Sequence, residues 1–592
     1  MQLVKRCLPW ALALVALLSL FLNESIRPAV QGVTILIDGQ TSDNGLPVYY
    51  QVQNTKAVAT IRLTLARLHA TRFQLIPDDC IDDVFVNGEK VEQHGHFCDW
   101  RNGRDYDLGS HLREGENSVE VHLYNKKGQG SLEFNLANSD PLLMLSRALL
   151  LTSFCALALL IFQRSQRSLA ADSLTRGIFN IWLCGVVIRV IYFYATPFWV
   201  RAYDWNGHTG YLNHVLQNFS LPTYNSGWQA YQPPLYYFTI ASLMSALQGI
   251  GLTLPSVTRF SEYVALLLSF GTLALELGCV TILFRGGRFR WGAFFLAGWL
   301  ATLPALVMFS TRVSNDVLYY FLGAATLYVL LSWWQRKENK KWYIAVILCA
   351  LSMLTKSNGI NLVAVTFSLL LLNGELSLRS RAKMLVLGSG LLFLICGWYY
   401  ALRFLEEGQP SLVGNIQSNP NGLRVDNSLE SFITFNPLEV LATPYNHTWD
   451  DRFRRKNFWE FLYRSLFFGE FRLGEPKKFF ASFLLLLGYG VLILAGRGFY
   501  SELRARSRWF WPMSLTLVLM VGSLLAVRIQ HNISGFADFR YIPLAALPLG
   551  YFAARGVEKL WPRTRRWAQL TLGTLILCCA YFSMAFYFVD PR

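Results

Sequence analysis

From Tyr203 to Tyr237 the chain reads YDWNGHTGYLNHVLQNFSLPTYNSGWQAYQPPLYY, directly after an apolar run at about residues 177–199. A carboxylate (Asp204), two histidines (His208, His214), a Trp/Tyr-rich stretch and Gln232-Pro-Pro crowd the point where the chain leaves that run. A carboxylate within hydrogen-bond reach of an attacking hydroxyl can take its proton as a general base. Two cations stand at the ends of other apolar runs, Lys356 and Arg540. A guanidinium binds phosphate through paired hydrogen bonds and an ammonium binds it as a point charge, so both suit a departing phosphate. Two of these residues also have a plainer reading. Asp204 precedes a helical stretch, Trp205 to Phe219, and Asp is a favoured N-cap; Lys356 can snorkel from a span end to the interface.

The elements that must hold these residues are membrane spans. The chain has 592 residues, 53% hydrophobic, 15% aromatic and 16% charged. Its apolar residues recur in runs of the length that crosses a bilayer, and the pattern predicts about 13 spans. The formal charge of +16 comes mainly from short basic connectors such as Arg285/Arg288/Arg290 and Arg497/Arg504/Arg506/Arg508. All of these fall on one side of the predicted topology, which the positive-inside rule makes cytoplasmic. Topology thus accounts for the charge, and no nucleic-acid partner is expected. The opposite, outer side receives residues 23–140 and the loops 200–256 and 403–477. The outer loop's basic run, with Arg454 and Arg455, is a candidate for donor phosphate, an acidic acceptor or lipid headgroups, although a solvated surface is the favoured reading.

Residues 1–22 read as a membrane anchor or a signal segment, with the anchor favoured. Residues 30–138 alternate apolar and polar positions (VTILID, AVATIRLTLARL, NSVEVHLYN) between Asn-Gly and Glu-Gly turns, the signature of an exported β-sandwich. A linking transmembrane helix at 141–163 leads to the membrane domain, 177–592. Of ten cysteines, Cys80 and Cys98 lie clearly in the exported region, and a disulfide between them is expected in an oxidising compartment. Asn23, Asn218, Asn446 and Asn532 head glycosylation sequons on the outer side. The reading favours a bacterial inner membrane with the site facing the periplasm; a eukaryotic lumen is the alternative.

Two resemblances sharpen this picture. VFVNGEKV followed by DYDLGSHLREGENSVEVHLYN resembles the galactose-binding-like jelly roll, which speaks for fold more than for function. An acidic residue after the first core span, Gln232-Pro-Pro-Leu-Tyr-Tyr, Thr311-Arg-Val-Ser-Asn-Asp, Leu354-Thr-Lys-Ser-Asn-Gly and Asp538-Phe-Arg-Tyr-Ile-Pro together resemble the GT-C glycosyltransferases of the protein O-mannosyltransferase and lipid A aminoarabinose transferase type. The resemblance covers about residues 177–590. It implies transfer of a sugar from a polyprenyl-phosphate donor to a glycan, lipid or protein acceptor on the outer face, usually with inversion. Asp204 takes the base position. His208, Gln232, Tyr236, Lys356, Arg540 and Tyr541 fall among the donor-binding positions, and Trp228 and Tyr231 are placed to stack on a sugar. No cofactor is fixed; a divalent cation held by Asp316 and His208 is an option. Protein mannosyltransferases usually carry an Asp-Glu pair where this chain has Asp204-Trp205, which leaves the acceptor open. The rival class is a transporter of lipid-linked sugars or polysaccharide with an accessory sugar-binding module. Transporters place charges at mid-depth, whereas the polar residues here gather at outer span ends.

Overall fold

Among the described residues between 29 and 136, period-two patterning produces ten strands: β1 (Ala29–Ile37), β2 (Gln40–Asn44), β3 (Val48–Gln51), β4 (Thr55–Leu65), β5 (Arg72–Pro77), β6 (Cys80–Val86), β7 (Glu89–Lys90), β8 (Arg104–Asp107), β9 (Gly115–Asn125) and β10 (Gln129–Leu136). They pair antiparallel in a six-stranded sheet, β2-β1-β4-β9-β6-β7, and a four-stranded sheet, β3-β10-β5-β8. Alternate residues of both sheets, among them Ile35, Ile61, Leu75, Val84, Val121 and Phe134, form one apolar core. Asp38-Gly39 and Asn87-Gly88 turn the β1–β2 and β6–β7 hairpins, and all four residues have positive φ, as a type I′ turn demands. Asn87 is fixed further: its Nδ2 donates to Asn117 Oδ1 at 2.9 Å and its Oδ1 accepts from Ser118 N at 3.0 Å.

The computed structural model describes residues 2–44, 48–51, 55–92, 96–99, 103–125, 129–168, 173–196, 201–202, 204–224, 226–227, 229–250, 256–286, 290–407, 424–446, 456–471 and 477–589. These fold as two units, Met1–Arg164 and Ser165–Arg592. The first holds the sandwich with α1 (Gln2–Ser25) and most of α2 (Pro141–Ser168). Asp140 joins α2 to the sheet: its Oδ1 accepts from Leu143 N at 2.9 Å and its Oδ2 from Thr71 N at 2.8 Å and Arg72 N at 3.1 Å. Cys80 and Cys98 form a disulfide.

The second unit is helical: α3 (Ser173–Ala195), α4 (Trp205–Asn218), α5 (Leu235–Gly249), α6 (Val257–Phe284), α7 (Arg290–Thr302), α8 (Pro304–Met308), α9 (Asp316–Arg336), α10 (Asn339–Thr355), α11 (Ile360–Leu372), α12 (Leu378–Leu392), α13 (Trp398–Glu407), α14 (Leu429–Ile433), α15 (Pro437–Ala442), α16 (Phe458–Phe468), α17 (Lys478–Arg504), α18 (Phe510–Gln530), α19 (Ala546–Glu558) and α20 (Pro562–Val589). Small residues let helices approach closely, as membrane packing favours. A Cβ at Gly498 of α17 would lie 1.8 Å from the Phe552 carbonyl of α19, and one at Gly556 would lie 2.0 Å from the Leu494 carbonyl.

Seven helices in the described residues are long and apolar enough to cross a membrane, eight if the bent pair α7–α8 is one span. The chain is an integral membrane protein of mainly helical fold with an N-terminal antiparallel sheet domain. The count of about 13 spans is not confirmed, and several of the expected runs are irregular. The run at 291–310 bends by 44° at the break before Pro304. The run at 539–554 begins as 3₁₀ turns, Phe539–Tyr541 and Pro543–Ala545, before the 13-residue α19. The runs either side of Lys356 are a 17-residue helix and a short one.

Candidate active site

Asp204 occupies the N-cap position of α4, but with φ 52° and ψ 23° and with no side-chain hydrogen bond to the helix. The capping explanation for its carboxylate therefore fails here. A non-glycine residue in the left-handed region is uncommon, though Asp tolerates it better than most, and such outliers concentrate at functional sites. Further along α4, His208, Tyr211, Leu212 and Val215 are buried, whereas Phe219, the last residue of the expected helical stretch, lies at the C-cap and is 65% exposed.

Segments far apart in sequence meet this point. Lys356, at the end of α10, pairs through Nζ with Asp316 Oδ1 at the start of α9, and both are buried. Arg540 Nη2 lies 4.0 Å from Asp204 Oδ2 and donates to Tyr541 Oη at 2.8 Å. The Tyr541 ring takes two cations, with Lys356 Nζ 5.2 Å and Arg540 Cζ 4.8 Å from its centroid. His208 Nδ1 is 2.7 Å from Tyr237 Oη, and the Tyr237 ring stacks on Tyr211. Burial pushes the His208 pKa down to about 4. The carboxylates of Asp204 and Asp316 oppose that shift, and Lys356 and Arg540 add to it. The imidazole is thus a neutral group set among two acids and two bases.

Two residues expected to touch the donor are instead held within the protein, one by hydrogen bonds and one by packing. Gln232 Oε1 accepts from Asn315 Nδ2 at 3.0 Å, and its Nε2 donates to Gln229 Oε1 and Tyr231 Oη, both at 2.9 Å. Tyr236 is 1% exposed in an apolar cluster, edge-on to Tyr237. These two fit a framework role better than donor contact. Trp228, Arg454 and Arg455 lie outside the described residues. The proposed cation set fits poorly: Asp316 already holds the Lys356 ammonium and accepts from Ser314 Oγ at 3.0 Å, and one nitrogen of His208 faces Tyr237. Among the described residues, the group of His, Cys, Asp or Glu close enough to share an ion is Cys80, His96 and Cys98, whose two sulfurs are joined as a disulfide.

Asn315 was visible in the Thr311–Asp316 motif, yet no sequence signal marked it as a tie. It is fully buried, and its Nδ2 also donates to Thr355 O at 2.8 Å, joining the Gln232 segment to the helix end beside Lys356. Arg403 and Tyr399, which hold the segment from outside, carried no signal at all.

Residues 238–400 match the family described as dolichyl-phosphate-mannose-protein mannosyltransferase. The match contains Asp316 and Lys356 but not Asp204, His208, Gln232 or Arg540. No curated protein matches the chain. Among solved structures, the Archaeoglobus fulgidus oligosaccharyltransferase in complex with Zn and sulfate aligns at 15% identity and a TM-score of 0.42, over 69% of this chain and 53% of that one. The chain thus spans about half the length of that relative. ArnT from Cupriavidus metallidurans bound to undecaprenyl phosphate aligns at 14% identity and a TM-score of 0.42, over 69% of this chain and 76% of that one. Arabinosyltransferase EmbB from Mycobacterium smegmatis aligns at 11% identity and a TM-score of 0.30, over 99% of this chain and 64% of that one. Residues 238–400 of the helical unit are thus similar to the protein mannosyltransferases.

Proposed function

We propose that the protein is a membrane glycosyltransferase that moves a sugar from a polyprenyl-phosphate donor to an acceptor hydroxyl at the outer face, with Asp204 as general base. The observation that carries this reading is the convergence of Asp204, His208, the Asp316–Lys356 pair and Arg540 on one point. In the reaction the acceptor oxygen attacks the anomeric carbon while its proton passes to the Asp204 carboxylate. The bond from that carbon to the phosphate oxygen breaks, and the polyprenyl phosphate leaves with the electron pair. Arg540 and Lys356 meet the charge gained by the leaving phosphate, the kind of preorganised stabilisation that dominates many transferases. His208, neutral near pH 7, adds no charge that would compete for the phosphate.

Periplasmic or lumenal orientation follows from the charge bias of the connectors. The acceptor class stays open among glycan, lipid and protein. The test is ligand-induced stabilisation: the purified protein is melted in detergent with undecaprenyl or dolichyl phosphate. A rise in Tm that is lost in Arg540→Gln supports the phosphate site. An equal rise in wild type and variant removes Arg540 from it, and no rise with either lipid contradicts the donor class.

A further inference from the structure

The membrane helix that begins with α12 does not run straight into α13. Residues Phe393–Gly397 form a π-helical turn between them. Such a turn inserts one residue into the α-helical register, so every side chain after it is rotated relative to those before, and π-turns recur at functional sites. The consequence is visible in what α13 presents. Trp398, Phe404 and Leu405 stay exposed at 50%, 47% and 80%, while Tyr399 and Arg403, at 2% and 6%, turn inward.

The inward residues all end on main-chain carbonyls of the segments that build the site. Tyr399 Oη donates to Tyr231 O at 2.7 Å. Arg403 Nη2 donates to Ala230 O at 3.0 Å and Pro222 O at 3.2 Å, and its Nε donates to Tyr399 Oη at 3.3 Å. Tyr400 Oη donates to Met353 O at 2.8 Å, one turn before Lys356. Glu406 pairs with Arg403 Nη1 and fixes the guanidinium from its other edge. The described residues between Ser220 and Pro234 form neither helix nor strand. A single Arg that closes on two of their carbonyls replaces the ladder that a regular element would supply.

Resting on the glycosyltransferase reading above, we infer that Tyr399, Tyr400 and Arg403 form a bracket that sets the distance between the Tyr231–Gln232 segment and Lys356, and so positions the donor for attack. They are positioning residues: Tyr399 and Arg403 act through the Tyr231 and Ala230 carbonyls next to the framework residue Gln232, and Tyr400 acts through the helix end that leads to Lys356. Asn315 makes the matching tie from the interior, to Gln232 on one side and Thr355 on the other. A displacement of about 1 Å at a reacting centre can lower a rate by about a hundredfold, so loss of the bracket is expected to be read in kcat.

The experiment compares wild type, Tyr399→Phe, Arg403→Gln, Arg403→Lys and the exposed control Leu405→Ala in detergent. Turnover of a polyprenyl-phosphate sugar is expressed per site that binds undecaprenyl phosphate, so that a merely unfolded fraction does not count. Tyr399→Phe is expected to lower kcat by about tenfold and Arg403→Gln by about a hundredfold. Arg403→Lys should recover little, since an ammonium lacks the fork that spans two carbonyls. Arg403→Gln should add no further loss in a Gln232→Ala background if both act on one segment. Hydrogen exchange of amides 226–232 supplies a readout independent of turnover: it should rise in Tyr399→Phe and Arg403→Gln and not in Leu405→Ala. Unchanged exchange together with kcat within twofold of wild type in both variants overturns the bracket. A wild type that consumes no donor, with exchange raised as expected, instead overturns the glycosyltransferase reading and leaves the bracket as a fold device.

Discussion

Two regions of the helical unit bury ion pairs, and they are built to opposite standards. Around α16, Arg464 and Glu460 are 0% and 1% exposed and 3.4 Å apart. Arg464 also donates to Thr443 O at 2.9 Å, and Glu460 accepts from Asn436 N at 3.0 Å and Asn457 Nδ2 at 3.1 Å. Every group in that set is held by several fixed partners. Around Asp204, by contrast, the carboxylate is 36% exposed, sits on left-handed backbone and meets Arg540 at 4.0 Å. A closed pair of this kind costs a fold about 3–5 kcal/mol when one partner is removed, and its donors and acceptors are already taken within the protein. A loose pair beside a rigid one, Lys356–Asp316, leaves directed charge available to a third party.

That contrast can be broken by substitution. The largest expected effect is on activity: Asp204→Asn should lower kcat by about 10²–10⁴-fold, measured as polyprenyl-phosphate release. Next is Lys356→Gln, which strands a buried carboxylate. It should cost about 3–5 kcal/mol in stability by denaturant or thermal unfolding and abolish most turnover in the folded fraction. Arg464→Met should cost a similar amount, about 3–5 kcal/mol, because Glu460 is then buried alone, while kcat per folded molecule stays unchanged. The smallest effect is in pH dependence. His208 is held at about 4, below its ordinary 6.5, so between those values the unfolded chain binds a proton that the buried imidazole refuses. Stability is therefore full above about pH 6.5 and falls as pH drops toward 4, and His208→Asn should flatten this slope in a series of thermal melts.

Much of the organisation was legible in residue patterns. Alternation between residues 29 and 136 gave the sandwich, and Asp38-Gly39 and Asn87-Gly88 turn its hairpins because few residue pairs take two positive φ values. Asp204, Lys356 and Arg540 were marked by being polar at the ends of apolar runs, and they do come together. What was not legible depends on tertiary backbone. The π-turn at Phe393–Gly397 has no composition of its own, so the inward turn of Tyr399 and Arg403 could not be read. Hydropathy counted as spans several runs that are bent at Pro304 or broken near Pro543. Two of the sequons are also explained only by packing. Asn23 is 0% exposed and donates to Ser146 Oγ, and Asn446 is 2% exposed and donates to Phe461 O, so neither amide is open to a glycan.

The central claim, that the loose pair performs chemistry and the closed pair holds the fold, is tested by one crossed measurement. Wild type, Asp204→Asn and Arg464→Met are purified in detergent, and donor-dependent release of polyprenyl phosphate and Tm are recorded for each. Asp204→Asn should lose release and keep its Tm, while Arg464→Met should lose Tm and keep release per folded molecule. Release by Asp204→Asn at the wild-type rate would contradict the claim.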